Sequence, residues 1–260
     1  MLRAMLPRNF LCFTLVAVAL SSACGHGHAV PAGPPIDPEV IVAAPDRTEA
    51  DRKLDAGRKP AQYLRFLNVL PGMRVGELFA GGGYTTELLA RAVGPSGVVY
   101  GQNTKMVLER FAEKPWSERL ARPVNKGVVR LDRELDDPFP PEAQDLDLVV
   151  SNIVYHDAVW LKVDRRKMNR AVAASLKKGG RYVICDSSAR EGSGTDDAEK
   201  LHRIDEQVVR EEVAAAGFTV FGEAHFLRNR ADTRDWNSSP SAAGDRRGTS
   251  DRFCIAFRKP

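Results

Sequence analysis

Hydrophobic and polar positions follow two alternating patterns after residue 73. Short apolar runs predict strands near residues 73–79, 97–102, 127–131, 146–152 and 181–186. Between them, apolar residues recur at helical spacing and predict helices near residues 84–93, 104–113, 164–177 and 197–216. Alternation of strands and helices is typical of a mostly parallel sheet with helices on both faces.

The last two apolar runs, residues 217–229 and 251–260, are joined by a polar segment without a helical pattern. Because that connection leaves no room for a crossover helix, we expect these two strands to be antiparallel. Before the sheet, residues 46–60 are highly charged and predict a helix that stops near Pro60. Leu64 and Leu67 then lie on the apolar face of a second helix.

The first 23 residues have the features of a secretory signal peptide. Arg3 and Arg8 precede an apolar run over residues 10–20, and small residues lead up to Cys24. The stretch LSSAC resembles the lipobox of bacterial lipoproteins, which implies lipidation of Cys24. We therefore expect an exported lipoprotein of the cell envelope, anchored in the membrane and facing the periplasm. The alternatives are soluble secretion and an apolar N-terminus on a cytoplasmic protein.

The remaining chain divides by composition into two parts. Residues 24–45 are rich in Gly and Pro and lack periodicity, which predicts a flexible tether. We expect His26 and His28, which lie in it, to be solvated because nothing nearby completes a metal coordination shell. Residues 46–260 are long enough for one α/β domain and too short for two large ones.

The net charge limits the kinds of partner to expect, and the positions of the cysteines limit the possible disulfides. Loss of residues 1–23 would lower the formal net charge from +4 to +2, since that segment contains two arginines and no acid. Basic residues are interspersed with acidic ones, so we expect no nucleic-acid partner. In an oxidising compartment Cys185 and Cys254 could pair only if their predicted strands are neighbours, and two buried free thiols are the expected state.

Three glycines stand where the first strand passes into a helix, in the stretch VGELFAGGGYT. Such a turn lets the backbone approach a ligand closely. A P-loop is excluded because no Gly-Lys-Ser/Thr ending occurs. A dinucleotide fingerprint counted from Gly81 has Thr86 where the third small residue belongs, so a nicotinamide oxidoreductase is disfavoured.

The same stretch resembles the first motif of class I S-adenosylmethionine-dependent methyltransferases. In that superfamily an acidic residue closes the first strand and a glycine-rich loop holds the amino acid end of the cofactor. Glu77 matches the acid, Gly81 and Gly83 match two of the three glycines, and Phe79 takes the place of the first. A carboxylate suits a cationic sulfonium ligand and would repel a pyrophosphate.

Later segments extend the resemblance over about residues 60–258. Stretches such as VYHD and HRIDEQVVREEVAAAGF are similar to a small family of predicted exported bacterial methyltransferases. The resemblance implies a Rossmann-like sheet of seven strands in the order 3-2-1-4-5-7-6, with the last strand antiparallel. It also implies S-adenosyl-L-methionine as cofactor and makes the strands of Cys185 and Cys254 neighbours. The implied cofactor-binding residues are Glu77, Ala80, Gly81, Gly82, Gly83, Tyr84, Thr85, Asn103, Asp132 and Asn152.

Among these, Asn103 stands where the superfamily usually has an acid for the ribose hydroxyls, and Asp132 where a side chain contacts the adenine. For catalysis the candidates are His156 and Asp157, in the loop after the fourth strand where a base could reach an acceptor. Tyr84 and Tyr155 are expected to shape the pocket. The alternative is that His156 and Asp157 only cap or orient the loop.

His202 is the third catalytic candidate. With Asp205 it is expected on one helix face, either reaching over the pocket or pairing with that acid. No metal is expected, because Ser187 stands where a third oxygen ligand beside Asp157 and Asp186 would help. The predicted function is methyl transfer to a small-molecule acceptor; the alternative is a non-catalytic envelope binding module that retains the fold.

Overall fold

The structure is a computed structural model that describes Met1 and residues 33–260. Cys24, all of the proposed signal peptide except Met1, and the first part of the proposed tether lie outside the described residues. Among the residues that are described, no helix combines the length and apolar character needed to cross a membrane.

A seven-stranded sheet forms the centre of the domain. Its strands are β1 (Arg74–Leu78), β2 (Val98–Asn103), β3 (Val128–Asp132), β4 (Leu146–Asn152), β5 (Leu176–Ser187), β6 (Thr219–Ala224) and β7 (Arg252–Arg258). They lie in the order β3-β2-β1-β4-β5-β7-β6. The last strand, β7, is antiparallel to β5 and β6, and the other neighbouring pairs are parallel. The Rossmann-like order and the antiparallel last strand are both confirmed.

Helices cover both faces of this sheet. In chain order they are α1 (Pro38–Ala43), α2 (Glu49–Arg58), α3 (Pro60–Leu67), α4 (Tyr84–Val93), α5 (Lys105–Val107), α6 (Glu113–Leu120), α7 (Asp157–Trp160), α8 (Arg165–Ser175), α9 (Asp197–Leu201) and α10 (Glu206–Ala215). A π-helical turn, Leu108–Ala112, joins α5 to α6, so this helical region extends beyond the predicted end near residue 113.

Alternation along the central strands produces two hydrophobic cores. Val149 of β4 belongs to one core, and its neighbours Leu148 and Val150 belong to the other. All three are fully buried, as expected for a strand covered on both faces. Each such side chain contributes about 1.5–3 kcal/mol through burial.

Helix α1 lies within the segment whose composition predicts a tether. Asp37 begins it by accepting a hydrogen bond from the Glu39 backbone N–H, and Pro38 occupies the first turn. Ile41 is buried in the same core as Leu64 and Leu67 of α3. This short helix therefore packs as part of the domain.

The predicted helix over residues 197–216 is wrong, because the chain forms two helices there. Helix α9 ends at Leu201, and His202 adopts a left-handed backbone with φ of 50°. Asp205 then starts α10 by accepting a hydrogen bond from the Gln207 backbone N–H. His202 and Asp205 therefore lie in the connection between two helices and do not share a helix face.

A buried ion pair organises the polar segment before β7. The side chains of Arg203 and Asp232 are fully buried and lie 2.7 Å apart. Arg203 also donates hydrogen bonds to the carbonyl oxygens of Ser188 and Trp236. Separation of the two side chains would leave a buried charge uncompensated. The pair therefore keeps the segment attached to the end of β5.

Cys185 of β5 and Cys254 of β7 face each other in the antiparallel register and form a disulfide. The expectation of two free thiols is wrong, because the strand order makes β5 and β7 neighbours and the register places these residues opposite each other.

Candidate functional site

The turn between β1 and α4 combines three left-handed residues. Phe79, Gly81 and Gly83 have φ values of 51°, 56° and 79°. Glycine adopts this conformation freely, whereas a side chain makes it cost roughly 1–2 kcal/mol. Phe79 therefore has a glycine-like backbone, at a cost that its burial in the hydrophobic core helps to offset.

Gly81 and Gly83 differ in what surrounds them. A side chain at Gly81 would point into open space, with no atom of the described residues within 4 Å. At Gly83 a Cβ would lie 2.6 Å from both the Trp116 ring and Arg119. The missing side chain at Gly83 thus permits close packing of α6, whereas Gly81 leaves room above the turn.

Asn103, at the end of β2, holds the turn from below. Its Oδ1 accepts a hydrogen bond from the Gly81 N–H at 2.8 Å, and its Nδ2 donates to the Gly81 carbonyl at 3.1 Å. Gln102 acts similarly, because its Oε1 accepts from the Phe79 N–H at 3.0 Å. Both amide side chains are fully buried. In this structure Asn103 supports the backbone of the turn, and its contact with a ribose stays a prediction.

Glu77 lies beneath the same turn with only 3% of its surface exposed. The Thr86 hydroxyl donates a hydrogen bond to Glu77 Oε2 at 2.5 Å. Burial raises the pKa of Glu77 to about 7, although the Thr86 hydrogen bond and the positive charge of Arg58 act in the opposite direction. A positive charge placed next to Glu77 would therefore favour its ionised form.

The carboxyl end of β4 meets the first turn of α4. Asn152 Nδ2 donates to Thr85 Oγ1 at 3.3 Å. The next residue, Ile153, has φ of 62°, which is unusual for a β-branched side chain. Backbone strain of this kind is common at functional sites. Here the unusual backbone of Ile153 directs the chain from β4 toward His156.

The other predicted cofactor residues have varied surroundings. Asp132, at the end of β3, is half-exposed and forms an ion pair with Arg130 at 2.8 Å. Tyr84 donates its hydroxyl hydrogen to Asp55 at 2.6 Å. Ala80 packs in a small core with Trp116, and the Gly82 carbonyl accepts from Arg119 at 2.6 Å. Their contacts with a cofactor remain predictions.

His156 is the buried centre of a polar cluster after β4. Its Nδ1 lies 2.7 Å from Asp186 Oδ1, and its backbone N–H donates to Asp186 Oδ2 at 2.9 Å. Burial disfavours its charged form, but the carboxylates of Asp186 and Asp157 outweigh this and raise the pKa of His156 to about 10. Asp186 therefore orients the ring and leaves Nε2 pointing away from β5.

Asp157 and His202 complete this cluster. His156 Nε2 lies 3.2 Å from His202 Nδ1 and 3.2 Å from Asp157 Oδ1. Asp157 also accepts a hydrogen bond from the Trp160 indole at 2.7 Å. The structure thus brings together all three predicted catalytic residues, and His202 contacts His156 instead of pairing with Asp205.

Tyr155 does not shape a pocket as expected. Its side chain is buried, its hydroxyl donates to Glu212 at 2.8 Å, and it accepts from Asn169 at 2.7 Å. After Ile153 the side chains of Tyr155 and His156 point in different directions. Tyr155 points into the core beside α8 and α10, whereas His156 points toward Asp186.

Sequence reasoning missed three residues that support the site. The sequence indicates Asp186 only as a possible metal ligand, although its position at the end of β5, beside β4, is a signal for an orienting role. Trp116 and Arg119, which pack on the glycine turn, carry no such signal because the helical pattern was expected to end near residue 113.

Comparison with solved structures identifies the fold, while comparison with models of known protein families gives no match. A methyltransferase dependent on S-adenosylmethionine from Aquifex aeolicus has a TM-score of 0.57 and 17% identity, covering 86% of this chain and 100% of that one. Another, from Mesorhizobium loti, has a TM-score of 0.52 and 20% identity, covering 79% and 100%. The chain has the fold of S-adenosylmethionine-dependent methyltransferases.

The two glycines should respond differently to substitution by alanine. Gly83→Ala combines a left-handed backbone with overpacking against Trp116 and should cost about 2–4 kcal/mol of unfolding free energy. Gly81→Ala adds a methyl group in open space and should cost about 1 kcal/mol. Urea denaturation measures both, and equal losses would contradict the packing assigned to Gly83.

Glu77 should make stability depend on pH. Its pKa rises from 4.5 to about 7 on folding, so its contribution is fully present below pH 4.5 and is lost as pH rises toward 7. The unfolding free energy of the wild type, relative to Glu77→Gln, should fall by about 2.5 kcal/mol between about pH 5 and pH 8. Urea denaturation at both pH values measures this difference.

Glu113 provides the matched control for this experiment. Hydrogen bonds from Arg130 lower the pKa of this exposed carboxyl to about 2, so it stays ionised throughout the range. Stability relative to Glu113→Gln should therefore not change between the two pH values. A pH-independent difference for Glu77→Gln as well would show that Glu77 is ionised over the whole range.

Proposed function

We propose that the protein binds S-adenosylmethionine at the turn between β1 and α4 and transfers its methyl group to a small-molecule acceptor. One observation carries the proposal: the buried carboxylate of Glu77 lies directly before a glycine turn whose Gly81 faces open space. The position of this turn supports it, because ligands of open α/β sheets bind beyond the carboxyl ends of strands where the strand order reverses.

The charge of the site suits this ligand. S-adenosylmethionine has a positively charged amino group and sulfonium, and a carboxylate in a poorly solvated position attracts a cation strongly. Glu77 would supply this charge, and Asn103 would hold Gly81 in place. Asn152 and Thr85, joined by a hydrogen bond, would hold the opposite side of the ligand, next to the loop after β4.

The cofactor supplies an electrophilic methyl group, and the chain would position the acceptor and exclude water. Asp157 and His202 are the cluster members that solvent reaches, with side-chain exposures of 22% and 27%. We assign acceptor contact to these two residues. His156, with a side chain only 4% exposed, would act through them as a positioning residue.

The alternative, a binding module without catalytic activity, has specific support. The amide of Asn103 is engaged with Gly81, and the carboxylate of Asp132 with Arg130. These are the groups expected to contact ribose and adenine, so their internal partners favour a fold that has lost its cofactor. A direct binding measurement separates the two functions.

Calorimetric titration of the purified full-length protein should detect binding of S-adenosylmethionine and S-adenosylhomocysteine. Glu77→Gln removes a charge-assisted contact and should weaken binding of S-adenosylmethionine about 10–100-fold. Gly81→Leu places a side chain in the open space above the turn and should abolish binding. The absence of wild-type binding at millimolar ligand would reject the enzyme function and favour the binding module.

Gly94→Leu is the matched control for Gly81→Leu. Gly94 also has a positive φ, of 63°, and no described residue lies within 4 Å of a Cβ built there, but it lies at the opposite end of α4. This variant should be destabilised at least as much as Gly81→Leu, since φ of 63° with ψ of -170° is open essentially to glycine alone, and it should bind the ligand as the wild type does. Equal loss of binding in both variants would assign the effect to stability.

We also propose that the protein is an exported lipoprotein anchored through Cys24. The charged start, apolar run and small residues before Cys24 support export. The disulfide between Cys185 and Cys254 supports it independently, because such bonds persist in oxidising compartments.

Metabolic labelling with palmitate in a bacterial host tests the anchor. The wild type should be labelled, and Cys24→Ser should lose the label because the acceptor thiol is gone. Cys12→Ser, the matched control within the signal segment, should be labelled as the wild type is. Label retained in Cys24→Ser would contradict the lipoprotein assignment.

A further inference from the structure

His156, Asp157 and His202 bring three metal-ligand atoms together. His156 Nε2 lies 3.2 Å from His202 Nδ1 and 3.2 Å from Asp157 Oδ1, and His202 Nδ1 lies 3.6 Å from the same oxygen. Two imidazole nitrogens and one carboxylate oxygen form a donor set that zinc and other first-row transition metals accept.

The spacing of these atoms matches the coordination shell of such an ion. At zinc–ligand distances of about 2.0–2.1 Å, two ligands in a tetrahedron lie roughly 3.3–3.4 Å apart. The three observed separations bracket that value, so an ion could touch all three atoms with small side-chain adjustments. It would lie slightly out of their plane and retain a fourth position.

Outer contacts hold the side chains of His156 and Asp157 and the backbone of His202. Asp186 lies 2.7 Å from His156 Nδ1, in the carboxylate–histidine arrangement that supports a metal ligand through its other nitrogen. The Trp160 indole holds Asp157. The carbonyl of His202 accepts a hydrogen bond from the Ser238 hydroxyl at 2.6 Å, which anchors its left-handed backbone.

Access is limited to one side. His156 is buried, whereas solvent reaches Asp157 and His202. An ion could therefore enter from that side, and its fourth position could be filled by water or by an oxygen of a bound molecule, as in catalytic zinc sites.

We propose that His156, Asp157 and His202 bind one divalent transition-metal ion, with Zn²⁺ favoured by the donor set. The sequence predicts no metal because a third oxygen ligand is missing, and it predicts that His202 shares a helix face with Asp205. The break between α9 and α10 instead directs His202 toward His156. The ion would displace the proton that otherwise lies between the imidazole and carboxylate groups. The ion would occupy the residues to which acceptor contact is assigned, but its binding does not require S-adenosylmethionine or methyl transfer.

Titration of the metal-free, full-length protein with Co²⁺, without S-adenosylmethionine, tests the site. We expect one Co²⁺ per chain, a visible absorption spectrum typical of four-coordinate cobalt, and its displacement by Zn²⁺. His202→Ala removes a ligand, and its affinity should fall by at least about 100-fold, beyond the loss caused by an outer partner. Asp157→Asn provides a second variant that keeps the side-chain shape, and circular dichroism checks the folding of both.

Two controls identify the histidines responsible. His225→Ala removes a histidine outside the cluster, and His26→Ala/His28→Ala removes both histidines of the proposed tether; each should bind Co²⁺ as the wild type does. The proposal is overturned if the wild type shows no saturable binding, or if folded His202→Ala and Asp157→Asn bind with unchanged affinity. Binding lost only in the tether variant would also overturn it, and a cluster joined by protons alone would then be the conclusion.

Discussion

Parallel pairing of β1 with both β2 and β4 is the constraint on which the site depends. The register places Glu77 of β1 beside Gly101 of β2 and Val150 of β4, so three strands end at the same edge of the sheet. Chain segments leave this edge toward opposite faces, which opens a crevice between them. Residues distant in sequence, such as Glu77, Asn103 and Asn152, meet there without any local preference for one another.

Buried polar groups then determine how that edge is arranged. Asn103 satisfies the backbone of Gly81, Asp186 satisfies His156, and Arg203 joins the end of β5 to the segment that holds His202. An unsatisfied buried donor or acceptor costs about 1–3 kcal/mol. Alternative arrangements that break these contacts are therefore disfavoured, and the groups facing solvent are held by a rigid surrounding shell.

Sequence periodicity was sufficient to predict the sheet and most helices. Short apolar runs and the glycine turn are local signals, and the structure confirms the strands and α4, although β5 begins at Leu176, before its predicted start near residue 181, and β6 ends at Ala224. Prediction from the sequence failed where contacts between residues distant in the chain determine the local structure. The left-handed His202 depends on Ser238 and on the buried Arg203, and the pairing of Cys185 depends on register with β7.

The candidate site shows the same division between local and distant signals. Glu77 could be selected because its motif resembles a known one, and His156 and Asp157 could be selected from their place after the fourth strand. The partners of Asn103 could not be predicted, since an amide is equally able to bind a ligand or a backbone. Likewise, nothing in the pattern predicted that Trp116 would pack against Gly83.

Burial of the disulfide between Cys185 and Cys254 limits when the bond can form or be reduced. Both residues are almost completely inaccessible in the folded sheet, with exposures of 0% and 1%. Thiol–disulfide exchange requires an attacking thiolate to reach a sulfur atom, and both cysteines lie in the hydrophobic core on one face of the sheet, so exchange requires that core to open. The oxidation state of the pair is therefore established when the core forms, and it reflects the redox conditions at the moment of folding.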